Sequence, residues 1–276
     1  MKTVGWLSDF ATYGGAEDSE RYLIFKAPSD IKIHKIIGGK DFKTDCDLYI
    51  INNFRRLTPI QLNFIIDTKK YILAHRDIID TPHDNLFRQL ARRAEINIFL
   101  SPLHREEFYK KFGAGVYDNN CCIAPYFDKR FYYRIEQDDR ELDVCWVGNI
   151  QHHKGIEDVL LWARNNNRRV AFYGKGNDHI IEQIEESEYG VYLFECNAME
   201  LRDIYPTYKN FIHLPDKIEA FGRSCMEAFL SGCNMIVNEK VGMYSYPEIK
   251  LLDRKKLEDW LELQPVIFWN TVNTYL

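Results

Sequence analysis

Short, uninterrupted apolar runs alternating with amphipathic stretches limit what this chain can fold into more than any other feature. Residues 3–8 (TVGWLS), 47–52, 71–74 and 96–100 are such runs, and 31–37 (IKIHKII) reads as a further strand. Between them lie segments with helical spacing, the last of which, 103–113, closes on Gly113 as a helix C-cap would. Strands that stay apolar on both faces call for a parallel sheet covered by helices above and below, since a sheet with one wet face would alternate apolar and polar residues. After a charged, aperiodic stretch at 125–142 the pattern restarts, with strands expected at 143–148, 169–174, 191–194, 210–214 and 234–238. The expected fold class is α/β: two Rossmann-like domains facing each other across a cleft, with ligands at the C-terminal ends of the strands. The domains are expected at 1–135 and 136–255. One or two C-terminal helices follow at 256–276, whose Leu257, Trp260 and Leu261 need a partner surface such as the N-terminal domain.

The opening residues MKTVGWLSDF turn polar too soon for a secretion signal, and no stretch approaches the roughly 18 consecutive apolar residues of a membrane span. The expectation is a cytoplasmic protein. Its seven cysteines are odd in number and lack C-x-x-C spacing, which reads as buried, reduced thiols. Charge is split along the chain. The first 140 residues hold 22 basic against 20 acidic side chains, the remainder 14 against 21. The first half carries basic doublets, which usually mark solvated helix ends.

The segment with the most chemistry is EAFGRSCMEAFLSG, 219–232. Glu219 and Glu227 flank Phe221, Gly222 and Arg223, and an amphipathic helix runs on to Gly232. A helix starting near Gly222 would turn its first N–H groups and positive dipole end toward a ligand, a site suited to a diphosphate without any cation. Gly222 has no Cβ to keep a ligand from the backbone. Glu219, before the helix, and Glu227, within it, would accept hydrogen bonds from hydroxyls of one ligand. The same spacing also fits an acid-capped amphipathic helix with no ligand.

This block resembles the Glu-x7-Glu signature of the retaining GT-B glycosyltransferases, the glycosyl transferases group 1 family. The resemblance implies an enzyme, a hexosyl- or pentosyltransferase, that moves a sugar from a nucleoside-diphosphate sugar with retention of anomeric configuration. In such an enzyme Glu219 contacts the sugar, Gly222 the sugar or phosphate through its backbone, and Glu227 the ribose. VGNIQHHKG, 147–155, resembles the family's loop at the start of the C-terminal domain, where Gly148 allows tight passage and Lys154 meets the diphosphate. Asn149 stands where the family frequently has Arg; Arg223 or Lys217 is a substitute for that contact. GGAE, 14–17, fits the loop after the first strand, with Gly14 and Gly15 facing the cleft. His75, directly after the run YILA, matches a histidine that many members place near the sugar, with Asp77 to orient its ring or contact the acceptor. The expected catalytic residues are therefore His75, Glu219 and Lys154. The two domains' groups would meet on cleft closure.

Other constellations weigh less. Asp45-Cys-Asp47 has the D-x-D form of manganese-binding glycosyltransferases of another fold, but it precedes its strand instead of following it. The pair His152–His153 has no third ligand at a fixed spacing. No metal and no cofactor are expected. Phosphate-loop, dinucleotide and nucleophile-elbow motifs are absent from the sequence, against NTPase, dehydrogenase and hydrolase chemistry. The expected partners are a nucleotide-sugar donor and an acceptor, either neutral or anionic; the anionic options are a phosphorylated carrier or hydroxymethylated DNA. The competing reading is a catalytically inactive, nucleotide-binding or structural protein of the same fold, which the absence of Arg after Gly148 favours.

Overall fold

A computed structural model of the chain describes residues 1–8, 15–37, 45–52, 58–76, 84–116, 118–136, 142–194, 198–251 and 253–276. It divides into two units. The first comprises Met1–Tyr126 and Lys255–Leu276, the second Phe127–Arg254.

The first unit is built on a six-stranded, all-parallel sheet ordered β2-β1-β3-β4-β5-β6. Its strands are β1 (Lys2–Ser8), β2 (Ile31–Ile37), β3 (Leu48–Ile51), β4 (Tyr71–Ala74), β5 (Ile96–Phe99) and β6 (Asn120–Cys122). β3, β4 and β5 are buried at every position, so their side chains do not alternate between core and solvent, and Asn97 of β5 is a buried polar exception to their apolar character. The connecting helices are α1 (Gly15–Phe25), α2 (Pro59–Thr68), α3 (Asp84–Arg93) and α4 (Pro102–Phe112). Thr58 and Gln61 close a capping box on α2, and Ser101 caps α4 with Pro102 in its first turn. Gly113, at φ +88°, ends α4 where the glycine signal placed its cap. β6 had no sequence expectation: at three residues it is too short to show a period.

In the second unit the sheet has five parallel strands ordered β11-β10-β7-β8-β9. They are β7 (Leu142–Val147), β8 (Val170–Tyr173), β9 (Gly190–Phe194), β10 (Tyr208–His213) and β11 (Asn234–Val237). Its helices are α5 (Ile156–Asn165), α6 (Asp178–Glu186), α7 (Ala198–Ile204), α8 (Arg223–Leu230) and α9 (Pro247–Leu251). The chain enters this unit at Phe127, ahead of residue 135, the expected domain end. Interactions explain why: Phe127 stacks on Phe221 at 5.9 Å, and the carbonyl of Tyr132 accepts from Arg254.

Helix α10 (Arg254–Tyr275) carries the chain back into the first unit's core. Phe268 and Trp269 pack on Trp6 of β1, and Trp269 Nε1 donates to the carbonyl of Leu23 at 2.8 Å. Gln264, also buried, accepts from the Ala124 N–H. Burying each such aromatic ring is worth about 2–3 kcal/mol. Cys46, Cys145, Cys225 and Cys233 are buried thiols outside any disulfide. Among the described residues no helix is long and apolar enough to cross a membrane.

Candidate functional site

In an open parallel sheet the crevice for a ligand opens where neighbouring strands send their connections in opposite directions. In the second unit that point lies between β7, which leads outward to β8, and β10, which returns on the other side. The two segments that leave these strands carry the charged residues.

The chain leaving β7 passes Gly148 and makes a single turn at His152–Lys154. Gly155 follows at φ +70°, and a Cβ there would lie 1.7 Å from the carbonyl oxygen of Leu214. Only glycine lets this turn rest on the backbone that leaves β10, and the Asp216 N–H donates to the His153 carbonyl across the contact. Lys154 is thereby brought beside the β10 exit. There Glu219 is held by its main chain: its N–H donates to the Lys240 carbonyl and its carbonyl accepts from Gly242.

Three side chains converge. Lys154 Nζ donates to Glu219 Oε1, and His213 Nε2 lies 2.9 Å from the same oxygen. That oxygen sits off the ring's N–H direction, since both His213 nitrogens lack a well-aligned hydrogen bond. At 2.9 Å the ring nitrogen and the carboxylate oxygen are a close polar pair. Burial alone would raise the Glu219 carboxyl, but His213 and Lys154 outweigh it and hold it well below the usual carboxylate range.

Gly222 heads α8 at φ +88°, with space for a Cβ taken by Val241 Cγ1 at 2.7 Å. One turn further on, Glu227 accepts from Arg223 at 3.2 Å and from the Tyr205 hydroxyl at 3.4 Å. Burial first, and the Glu227 carboxylate second, push the Tyr205 hydroxyl well above its ordinary range, so it stays a hydrogen-bond donor.

The remaining expected residues have other surroundings. Phe221 turns its ring into the core between Phe127 and Tyr246, which leaves only its main chain near the α8 terminus. Asn149 is exposed. Arg223, a candidate for the missing Arg contact, lies over the Phe127 ring at 4.5 Å and on Glu227. Gly15 opens α1, whereas Gly14 and Asp77 lie outside the described residues.

His75 is placed in a core, not at a crevice. It follows β4, one strand removed from the β1–β3 pair where the first unit's connections diverge. Its ring is 2% exposed, stacks on Phe99 at 4.5 Å and lies against Phe87 and Phe108. Nε2 lies 3.0 Å from Asn97 Oδ1. Burial lowers its pKa from 6.5 to about 4; the Asn97 bond opposes this and the Arg76 charge adds to it. These surroundings suit a neutral packing residue. His213 was missed in the sequence, although it is signalled the way His75 was, as a histidine closing an apolar strand.

Asp47 uses Oδ2 to accept from the Thr3 N–H at 2.7 Å, and exposed Asp45 pairs with Lys69. Among the described residues no group of three or more His, Cys, Asp or Glu is arranged to hold a metal ion.

Residues 130–247 match the model of the family described as glycosyl transferases group 1. No curated protein matches the chain in sequence. Among solved structures, the Anabaena protein Alr3699/HepE in complex with UDP and glucose superposes with a TM-score of 0.69 at 14% identity, covering 100% of this chain and 95% of that one. Sucrose-phosphate synthase from Thermosynechococcus elongatus gives 0.68 at 13% identity over 96% and 91%. AviGT4, a glycosyltransferase involved in avilamycin A biosynthesis, gives 0.67 at 13% identity over 100% and 97%. Identities this low speak for fold alone. Over 130–247 the chain is thus similar in sequence to the glycosyl transferases group 1, and its two α/β units have the GT-B fold of solved glycosyltransferases.

Proposed function

We propose that this protein is a retaining glycosyltransferase that moves a sugar from a nucleoside-diphosphate sugar to an acceptor hydroxyl without a metal ion. The observation that carries this reading is the gathering of Lys154, Glu219 and the Gly222-headed α8 terminus around one strand switch point, in the segment similar to the family. The complex of Alr3699/HepE with UDP and glucose supports a donor of this class. The diphosphate would lie on the α8 N–H groups and Lys154. When the bond from the anomeric carbon to the diphosphate oxygen breaks, its electron pair stays on the diphosphate, where the ammonium and the helix dipole stabilise it. The acceptor oxygen forms its bond on the same face and passes its proton to the departing phosphate. Glu219 holds a sugar hydroxyl; Glu227 holds the ribose.

Glu227→Ala is expected to weaken UDP binding by about 1.5–3 kcal/mol, the worth of a hydrogen bond to a charged group. Calorimetry with UDP on the folded variant reads this directly. An affinity equal to wild type would withdraw Glu227 from the ribose site. Hydrolysis of UDP-glucose to UDP is expected to persist in EDTA, because a helix terminus and an ammonium do the work of a metal cation here. Loss on chelation with recovery on adding manganese would overturn the metal-free reading.

A further inference from the structure

Both nitrogen contacts of Glu219 fall on one oxygen. Lys154 Nζ and His213 Nε2 meet Oε1, while among the described residues no side chain pairs with Oε2. The two contacts are not equivalent. Lys154 lies on the single-turn segment after β7, is a quarter exposed, and is the cation a diphosphate would engage. His213 is the last residue of β10, 2% exposed, with Trp146 and Phe211 flanking its ring at 6.1 and 6.3 Å. A ligand that drew Lys154 toward itself would leave the histidine in place. In so apolar a position an imidazole is costly unless it serves a polar partner, and among the described residues Glu219 is the polar side chain that approaches it.

Resting on the donor-site reading above, we infer that His213 is a positioning residue that pins Glu219 Oε1 and so presents Oε2 to a hydroxyl of the donor sugar. The pair works through geometry. His213 sits on a strand, so its ring moves little, and Glu219 is anchored at both main-chain ends beside Val241. An oxygen fixed in this way pays no reorganisation when the sugar binds. The depressed carboxyl of Glu219 agrees with this, since it keeps Oε2 an acceptor without a proton.

The test compares His213→Leu, which removes the ring nitrogen, with His213→Gln, whose amide reaches about as far as Nε2. UDP calorimetry, UDP-glucose hydrolysis kinetics and a crystal structure of each full-length variant are the readouts. The leucine variant is expected to bind UDP as wild type does and to lose about 10- to 100-fold in kcat, the scale of a misplaced catalytic contact. The glutamine variant is expected to recover most of that loss. A leucine variant with wild-type kcat, or a glutamine variant no better than leucine, overturns the inference. Should the leucine variant fail to fold, His213→Asn, whose amide stops short of Nε2, takes its place with the same expected loss. A wild type that neither binds UDP nor hydrolyses UDP-glucose refutes UDP-glucose as the donor instead. The crystals then decide for His213: a displaced Glu219 carboxylate in the leucine or asparagine variant upholds the pinning, an unmoved one overturns it.

Discussion

Lys154→Ala is expected to slow UDP-glucose turnover by about 10²–10³-fold, the cost of deleting one group that stabilises developing negative charge in an enclosed site. The variant also strips Glu219 of the ammonium, one of its two nitrogen contacts, leaving His213. Because Lys154 is partly exposed, water replaces some of what is lost, and we expect a stability decrease of about 1–3 kcal/mol, below that of a fully buried pair. Steady-state kinetics and urea unfolding on the same preparation separate the two effects. A variant destabilised yet unchanged in kcat would mean that Lys154 only holds Glu219 and does not meet the leaving diphosphate.

Acid is expected to weaken the fold well before carboxylates titrate, through His75. Its native pKa of about 4 lies below the ordinary 6.5, so the unfolded chain binds the extra proton first. The stabilisation is complete above pH 6.5 and is lost as pH falls from there through about 4. Between pH 7 and pH 5 the loss amounts to about 2 kcal/mol. His75→Gln removes the titration while keeping a donor for Asn97, so urea midpoints of this variant should fall less than wild type over the same interval. An equal fall in both proteins would show that His75 is not the group responsible.

The contrast between His75 and His213 shows how far sequence alone reached. Both close an apolar strand, and a strand written in one dimension does not say which neighbour it pairs with. Whether its end faces a crevice depends on sheet order: β4 lies beside β5 in an unbroken run, while β10 borders β7 where the connections diverge. The alternating pattern therefore disclosed the α/β class and most strands, but not that order. Glu219, Gly222 and Glu227 could be singled out as candidates because their spacing is local to one loop and helix. The contact of Lys154 with Glu219, 65 residues apart in sequence, was not legible; the family likeness gave the two residues separate roles, at the diphosphate and at the sugar. Its physical cause, the close pass of Gly155 over Leu214, involves backbone atoms that no residue pattern records.

The route of the chain bears on how the protein is made. The second unit is one unbroken stretch, Phe127–Arg254, whereas the first is completed only by Lys255–Leu276. A ribosome therefore synthesises every residue of the second unit before Phe268 and Trp269 exist to cover Trp6. Until then the nascent first unit keeps an apolar face of its sheet open, a state prone to wrong association. Synthesis and assembly run in opposite orders here: the part begun first is finished last.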